Sequence, residues 1–203
     1  MFTGIVATTA KVIDIIKKEN FQTHIVEILE PYNHELEIGA SVAHNGCCLT
    51  VTKIDGNKVW FDLIEETLRL TNLGFLSIGQ RVNIERAARF GDEIGGHSMS
   101  GHIVDIMIVR EVIKTPANCK IWFDVPPTWL KYVLHKGYVG VDGISLTIGD
   151  VDAKGFNVNL IPETLERTNL SERIVGDKIN LEIDPQTQAI VDTIERVLAN
   201  QNN

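Results

Sequence analysis

Apolar and polar residues alternate over short stretches through most of this chain. Residues 5–16, 22–29, 48–54, 59–64 and 81–86 are rich in Val, Ile and Thr and are separated by short turn signals, the period-2 pattern of half-buried strands. Asp55-Gly56-Asn57 lies between two of these runs and predicts a hairpin turn, and Asp152-Ala153-Lys154-Gly155 sits at the matching place later in the chain. About six short strands per half, with no helical period long enough to cover a sheet, predict a small closed antiparallel barrel. Glu65–Leu70 and Pro162–Arg167 each have the length of one helical turn capping a barrel. A sustained helical period comes only at the end, over about residues 186–200, where Ile190, Val191, Ile194, Val197 and Leu198 share one face. Asp184 is placed to cap this helix, with Pro185 at its first position. The apolar stripe can pack on a barrel or on another subunit, and the sequence leaves both open.

The strand pattern occurs twice. With an offset of 97 and no gap, residues 46–85 and 143–182 are identical at 15 of 40 positions, including Gly46/Gly143, Leu49-Thr50/Leu146-Thr147, Glu66-Thr67-Leu68/Glu163-Thr164-Leu165 and Thr71-Asn72-Leu73/Thr168-Asn169-Leu170. Upstream, a one-residue slip aligns MFTGIV at the start with MSGHIV at 99–104, setting Gly4 against His102. Two copies of so long a period argue for two globular domains, since solenoid repeats are shorter. The division expected is residues 1–97 and 98–195, both all-β, with the helix appended to the second.

The net charge of −8, without a Lys/Arg block, disfavours nucleic acid and anionic membrane as partners. The apolar runs are too short to span a bilayer and the N-terminus lacks a signal-peptide layout, so a soluble cytoplasmic protein is expected. Cys47 and Cys48 are adjacent and Cys119 stands alone, which is no disulfide framework. His97 and His102, five apart, have no carboxylate or thiol to complete a metal set, so no metal is expected.

Where the halves agree, the bland reading is fold: Gly46/Gly143 and Gly79/Gly176 as turn glycines, Leu49/Leu146 as core, Thr50/Thr147 and Thr67/Thr164 as strand formers or as hydroxyls for a polar ligand. Where they disagree, chemistry is suspected. Cys48 stands against Ser145, a thiol against a hydroxyl, and His102 brings an imidazole to one half only. Taken singly, Cys48 reads as a small buried residue and His102 as a strand histidine.

Several blocks together are similar to riboflavin synthase. They are Met1-Phe2-Thr3-Gly4-Ile5-Val6, the stretch from Ser41 through His44-Asn45-Gly46-Cys47-Cys48-Leu49-Thr50, the junction Gly95-Gly96-His97 with Met99-Ser100-Gly101-His102, Asp142-Gly143-Ile144-Ser145-Leu146-Thr147, and Ile161-Pro162-Glu163-Thr164-Leu165. The resemblance covers nearly the whole chain. It implies two tandem Greek-key six-stranded barrels with a C-terminal helix, assembled as a homotrimer. It also implies the last step of riboflavin biosynthesis: dismutation of two 6,7-dimethyl-8-ribityllumazine molecules by four-carbon transfer, without metal or organic cofactor. The products are riboflavin and 5-amino-6-(D-ribitylamino)uracil. Lumazine synthase enters as a further partner on the same ground.

Carried onto this chain, the resemblance implies one lumazine per barrel, with each active site between the first barrel of one subunit and the second of its neighbour. The first pocket would be lined by Gly4, Ile5, Val6, Ser41, Cys48, Leu49, Thr50, Asp62, Leu63, Ile64, Glu65, Glu66 and Thr67. The second would be lined by Gly101, His102, Ile103, Ser145, Leu146, Thr147, Leu160, Ile161, Pro162, Glu163, Thr164 and Leu165, with Lys136 reaching in from across the interface. His102 with Thr147 would assist removal of a proton from the C7 methyl group of one lumazine, and Cys48, Ser145 or water would add to C7 of the other. Two rival readings remain. One is a non-catalytic lumazine- or flavin-binding antenna protein. The other is a tandem small-barrel module for single-stranded nucleic acid, which the 6% aromatic content and the acidic charge disfavour.

Overall fold

The computed structural model describes residues 1–116 and 118–201. The first barrel comprises β1 (Thr8–Lys18), β2 (Phe21–Glu27), β3 (Ser41–His44), β4 (Cys47–Asp55), β5 (Lys58–Ile64) and β6 (Arg81–Arg86), with helical turn α1 (Glu65–Leu70) between the last two. It closes in the order β1-β2-β5-β4-β3-β6. The second comprises β7 (Asp105–Lys114), β8 (Cys119–Asp124), β9 (Tyr138–Val141), β10 (Ile144–Thr147), β11 (Gly155–Leu160) and β12 (Lys178–Ile183), with α2 (Pro162–Arg167) in the same place. Its order, β10-β9-β12-β7-β8-β11, is that of the first barrel shifted by six strands. The seam between β10 and β11 is held by the Gly149 N–H donating to the Asn157 carbonyl (2.8 Å) and by a bridge between Val151 and Phe156. The register break between Val12 and Asp14 on β1 recurs between Val109 and Glu111 on β7, so even the bulge was duplicated.

Alternation decides what fills each barrel. Val12, Val26, Val51, Phe61, Leu63 and Val82 are fully buried in the first, and Met107, Ile121, Phe123, Phe156, Val158 and Ile179 in the second. Strand β3 gave no alternating signal because Val42, Ala43 and His44 are all buried: both of its faces are covered.

Residues 1–7 precede β1, where the hydrophobic pattern had begun a strand at residue 5. They leave their own barrel. Phe2 pairs with Met99 through two backbone bonds of 2.8 and 3.0 Å, and beyond this crossing each segment enters the other repeat. Val6 joins the core of the second barrel and Ile103 that of the first. The Gly4 carbonyl accepts from Ser145 N–H (2.8 Å) and the Gly101 carbonyl from Cys48 N–H (2.9 Å). Gly4 (φ +75°) and Gly101 (φ +80°) are therefore counterparts at the offset of 97. The one-residue slip is corrected: His102 corresponds to Ile5, not to Gly4.

The barrels meet on a pseudo-twofold network of buried amides. Asn83 Nδ2 donates to the Asp142 carbonyl (2.9 Å) and Asn180 Nδ2 to the Asn45 carbonyl (2.8 Å). Asn72 N–H donates to Asn180 Oδ1 (2.6 Å) and Asn169 N–H to Asn83 Oδ1 (2.9 Å). Gly46 and Gly143 touch on this axis. A Cβ built on Gly46 would lie 2.7 Å from Gly143 Cα, so these glycines serve close approach as well as a turn with positive φ. One position breaks the symmetry. Asn45 donates to Asn72 Oδ1 (3.2 Å), whereas its counterpart Asp142 has no proton to give and instead pairs with Arg173 (2.8 Å). Asn169 Oδ1 is left buried without a partner.

The final helix, α3 (Pro185–Gln201), is capped as expected: Asp184 Oδ2 accepts from Thr187 N–H (3.0 Å) and Thr187 Oγ1 (2.7 Å). Its apolar stripe divides. Val191 packs against the second barrel, and Lys131 reaches Glu195 at 2.5 Å, while Ile190, Ile194, Val197 and Leu198 remain about half exposed.

Candidate functional site

The crossing of the chain ends regroups the expected site residues. Gly4, Ile5 and Val6, expected in the first pocket, line a cleft of about 290 Å³ in the second barrel together with Ile144, Ser145, Leu146, Glu163 and Thr164. Gly101, His102 and Ile103, expected in the second, run beside Cys48 and into the first barrel's core. Cys48 is so close that a Cβ added to Gly101 would meet its Cβ at 2.7 Å. Within one chain, His102 thus accompanies Cys48, and Thr147 belongs to the other barrel. The pairing of His102 with Thr147 does not occur inside a single chain.

Equivalent strands position the remaining residues. Cys48, Leu49 and Thr50 lie on β4, and Ser145, Leu146 and Thr147 on β10. Ser41 pairs with Thr50 across β3 and β4. Asp62, Leu63 and Ile64 end β5 as Leu160 ends β11 before Ile161. Asp62 accepts from the Thr23 hydroxyl at 2.7 Å, and Leu63 and Leu160 are buried in the cores. Glu65, Glu66 and Thr67 open α1 as Pro162, Glu163, Thr164 and Leu165 open α2. Glu66 is tied to Arg69, and Glu163 to Arg167, on exposed faces. Lys136 is exposed at the turn before β9, with φ +65°.

The structure adds a residue that the sequence had raised only as a metal ligand. His97 is buried, stacks on Tyr138 with ring centroids 5.0 Å apart, and places Nδ1 2.6 Å from Ser145 Oγ. Burial holds its pKa below the usual imidazole range, against the opposing pull of the Asp184 carboxylate. Burial thus favours the neutral ring, and in the tautomer with its hydrogen on Nε2 the Nδ1 atom can accept the serine proton. Gly96 makes this approach possible, since a Cβ there would lie 2.7 Å from Ser145 Cβ. The glycine pair before His97 was the available signal. The two histidines serve different barrels, and among the described residues no cluster of three or more His, Cys, Asp or Glu could hold a metal ion.

Each barrel therefore sets a sulfur or oxygen nucleophile beside an imidazole-bearing segment, but not in the same way. In the second the pair is direct, a buried His97 against a half-buried Ser145. In the first, Cys48 is half-buried beside a backbone that carries the exposed His102. Cys47 points into the core, where burial first, then Cys48 and Glu182, push its thiol up to about 12, so it stays protonated and unreactive.

Residues 3–87 and 100–184 each match the family model described as lumazine binding domain. The riboflavin synthase of Escherichia coli (strain K12) is 59% identical over 204 residues, covering 100% of this chain and 96% of that protein. Among solved structures, LumP complexed with riboflavin superposes with a TM-score of 0.86 at 26% identity, covering 91% of this chain and 100% of that one. LumP complexed with 6,7-dimethyl-8-(1'-D-ribityl) lumazine superposes with a TM-score of 0.84 at 25% identity, covering 91% and 99%.

Proposed function

The chain belongs to the riboflavin synthase family of tandem lumazine-binding domains, and on that premise we propose how its two barrels divide the reaction between them. The enzyme converts two molecules of 6,7-dimethyl-8-ribityllumazine into riboflavin and 5-amino-6-(D-ribitylamino)uracil by moving a four-carbon unit from one to the other. Two copies of one substrate need two pockets of one shape, and a donor and an acceptor need those pockets to differ where bonds change. In this reading each barrel binds one lumazine. Strand-end amides and carbonyls take the pyrimidinedione edge, and Thr50, Thr67, Thr147 and Thr164 take hydroxyls of the ribityl chain.

The observation that carries the assignment is the 2.6 Å contact between His97 Nδ1 and Ser145 Oγ. In the second barrel the neutral imidazole takes the serine proton as Oγ adds to C7 of the donor, whose π electron pair at C7 moves into the pteridine ring, and returns it when the adduct collapses. In the first barrel His102, beside Cys48, removes a proton from the C7 methyl group of the acceptor, and the resulting carbanion attacks the donor. Holding the two lumazines face to face contributes proximity worth up to roughly 7–11 kcal/mol in favourable cases.

The facing pockets come from neighbouring subunits in a homotrimer. Support for that assembly is the exposed face of Ile190, Ile194, Val197 and Leu198 on α3, and the exposed Lys136 then reaches a neighbour's pocket. A cytoplasmic location, supported by three free thiols, and association with lumazine synthase belong to the same reading. The antenna alternative is not favoured: identity to a riboflavin synthase is 59%, against 26% to LumP. The test is incubation with the lumazine alone, following riboflavin absorbance. One riboflavin per two lumazines consumed is expected. Binding of one fluorophore per chain without turnover would sink the assignment.

A further inference from the structure

Each crossing segment is clamped by a buried carboxylate on the last strand of its own repeat, not of the barrel that it enters. Glu85 at the end of β6 and Glu182 at the end of β12 are counterparts at the offset of 97. Glu85 Oε1 accepts from Thr3 N–H (2.6 Å) and the Thr3 hydroxyl (2.8 Å), and its Oε2 accepts from Gly4 N–H (3.0 Å). Glu182 concentrates three bonds on Oε1, from Ser100 N–H (2.7 Å), the Ser100 hydroxyl (2.9 Å) and Gly101 N–H (3.1 Å). Its Oε2 is buried without a partner.

What the two clamps deliver differs. Beyond the Glu85 clamp comes Ile5, an apolar side chain. Beyond the Glu182 clamp comes His102, whose backbone N–H donates to the same Ser100 Oγ that donates to Glu182 (3.1 Å). On the other side of the segment, the Gly101 carbonyl takes the Cys48 N–H. The backbone of residues 100–102 is thereby held from both barrels, by Glu182 of the second and Cys48 of the first. Burial pushes the Glu182 carboxyl above the usual range, and the Ser100 and Gly101 donors and the charge of His102 oppose it.

We propose that Glu182, a residue of the second barrel, is a positioning residue for chemistry in the first: through Ser100 and Gly101 it fixes where His102 stands relative to Cys48. The proposal rests on the reading of His102 as the group that moves the C7-methyl proton. Misplacing such a group by about 1 Å can cost on the order of 100-fold.

The test is a double-mutant cycle read by kcat and by deuterium exchange at the C7 methyl group of bound lumazine. Glu182→Ala is expected to lower both about 100-fold while two lumazines still bind per chain, and Glu182→Gln, which keeps an acceptor at Oε1, is expected to restore most of the rate. In Glu182→Ala/His102→Ala the loss should be no greater than in His102→Ala alone, whereas Glu85→Ala should add to His102→Ala in full. If Glu182→Ala fails to fold, Ser100→Ala in the same cycle decides. Additive losses would overturn the positioning role while leaving His102 as the base. Unchanged exchange in His102→Ala would overturn both.

Discussion

The two barrels share strand order, bulge and capping turns, yet their interiors are not alike. At the places where the second barrel buries Ile121 and Val141, the first buries His24 and His44. His44 sits edge-on to Phe61, with ring centroids 4.1 Å apart, and neither of its ring nitrogens has a partner. Burial lowers His24 to about 4, helped by Lys17, and His44 to about 3, helped by His24. The backbone tolerates either filling, because a neutral imidazole packs as a flat ring. The first barrel thus buries two imidazoles where its twin buries aliphatic side chains, and its His102 is also more exposed than His97 of the second. Duplication copied a scaffold, and the copies diverged in what they bury.

The sharpest way to break the comparison is catalytic. His102→Ala is expected to lower kcat by about 10²–10⁴ and to abolish C7-methyl exchange, while Ser145→Ala lowers kcat within the same range but retains exchange. Proton NMR of bound lumazine in deuterated buffer separates them, and loss of exchange in both would mean that the pockets do not divide the work. Next in size is the asymmetric charge at the interface. Burial raises the Asp142 carboxyl, with Arg173 foremost among the groups opposing it. Arg173→Leu should destabilise the fold by about 3 kcal/mol in urea unfolding. Asp142→Asn/Arg173→Leu, which copies Asn45 and Leu76 of the first half and offers Asn169 Oδ1 a donor, should recover most of that loss.

A third prediction concerns pH. With folded-state values of about 4 and about 3 against an ordinary 6.5, the unfolded chain binds protons at His24 and His44 that the folded chain refuses. Stability from these residues is full above pH 6.5 and falls as the pH drops toward 4, by on the order of 3 kcal/mol for each histidine. Glu85, Glu182 and Asp142, raised mainly by burial, act in the opposite sense, favouring the folded state as they protonate. Thermal melts from pH 7.5 to 4.5 should show a falling Tm that flattens in His24→Ile/His44→Val, the filling of the second barrel. An unaltered slope in that variant would place the acid sensitivity elsewhere. The smallest effect tests what the barrels share. Gly46→Ala and Gly143→Ala should each cost about 2 kcal/mol, equally, because each Cβ would strike the other's backbone on the common axis. Unequal costs would mean that the axis is not shared.

The period-2 runs and the 97-residue offset carried the barrels, and Glu65–Leu70, Pro162–Arg167 and the Asp184 cap emerged at their expected places. These features depend on neighbours in sequence, and so were legible there. The exchange of residues 2–6 with 99–103 was not, since both segments are equally apolar and either barrel could bury them. That exchange moved His102 to Cys48 and Gly4 to Ser145. Thr71 and Thr168 also needed the fold to be understood: each hydroxyl donates to a carbonyl four residues back at 2.6 Å, and the asparagine that follows each crosses to the other barrel.

Sequence by itself determined that there are two like domains, where most of the strands run, and that Cys48 stands against Ser145. Only the tertiary structure decided which pocket each difference belongs to. Alternation and identity are local properties of a chain, whereas the partner of a crossing segment is fixed by contacts such as Gly101 with Cys48 and Glu182 with Ser100, which lie 53 and 82 residues apart in the chain.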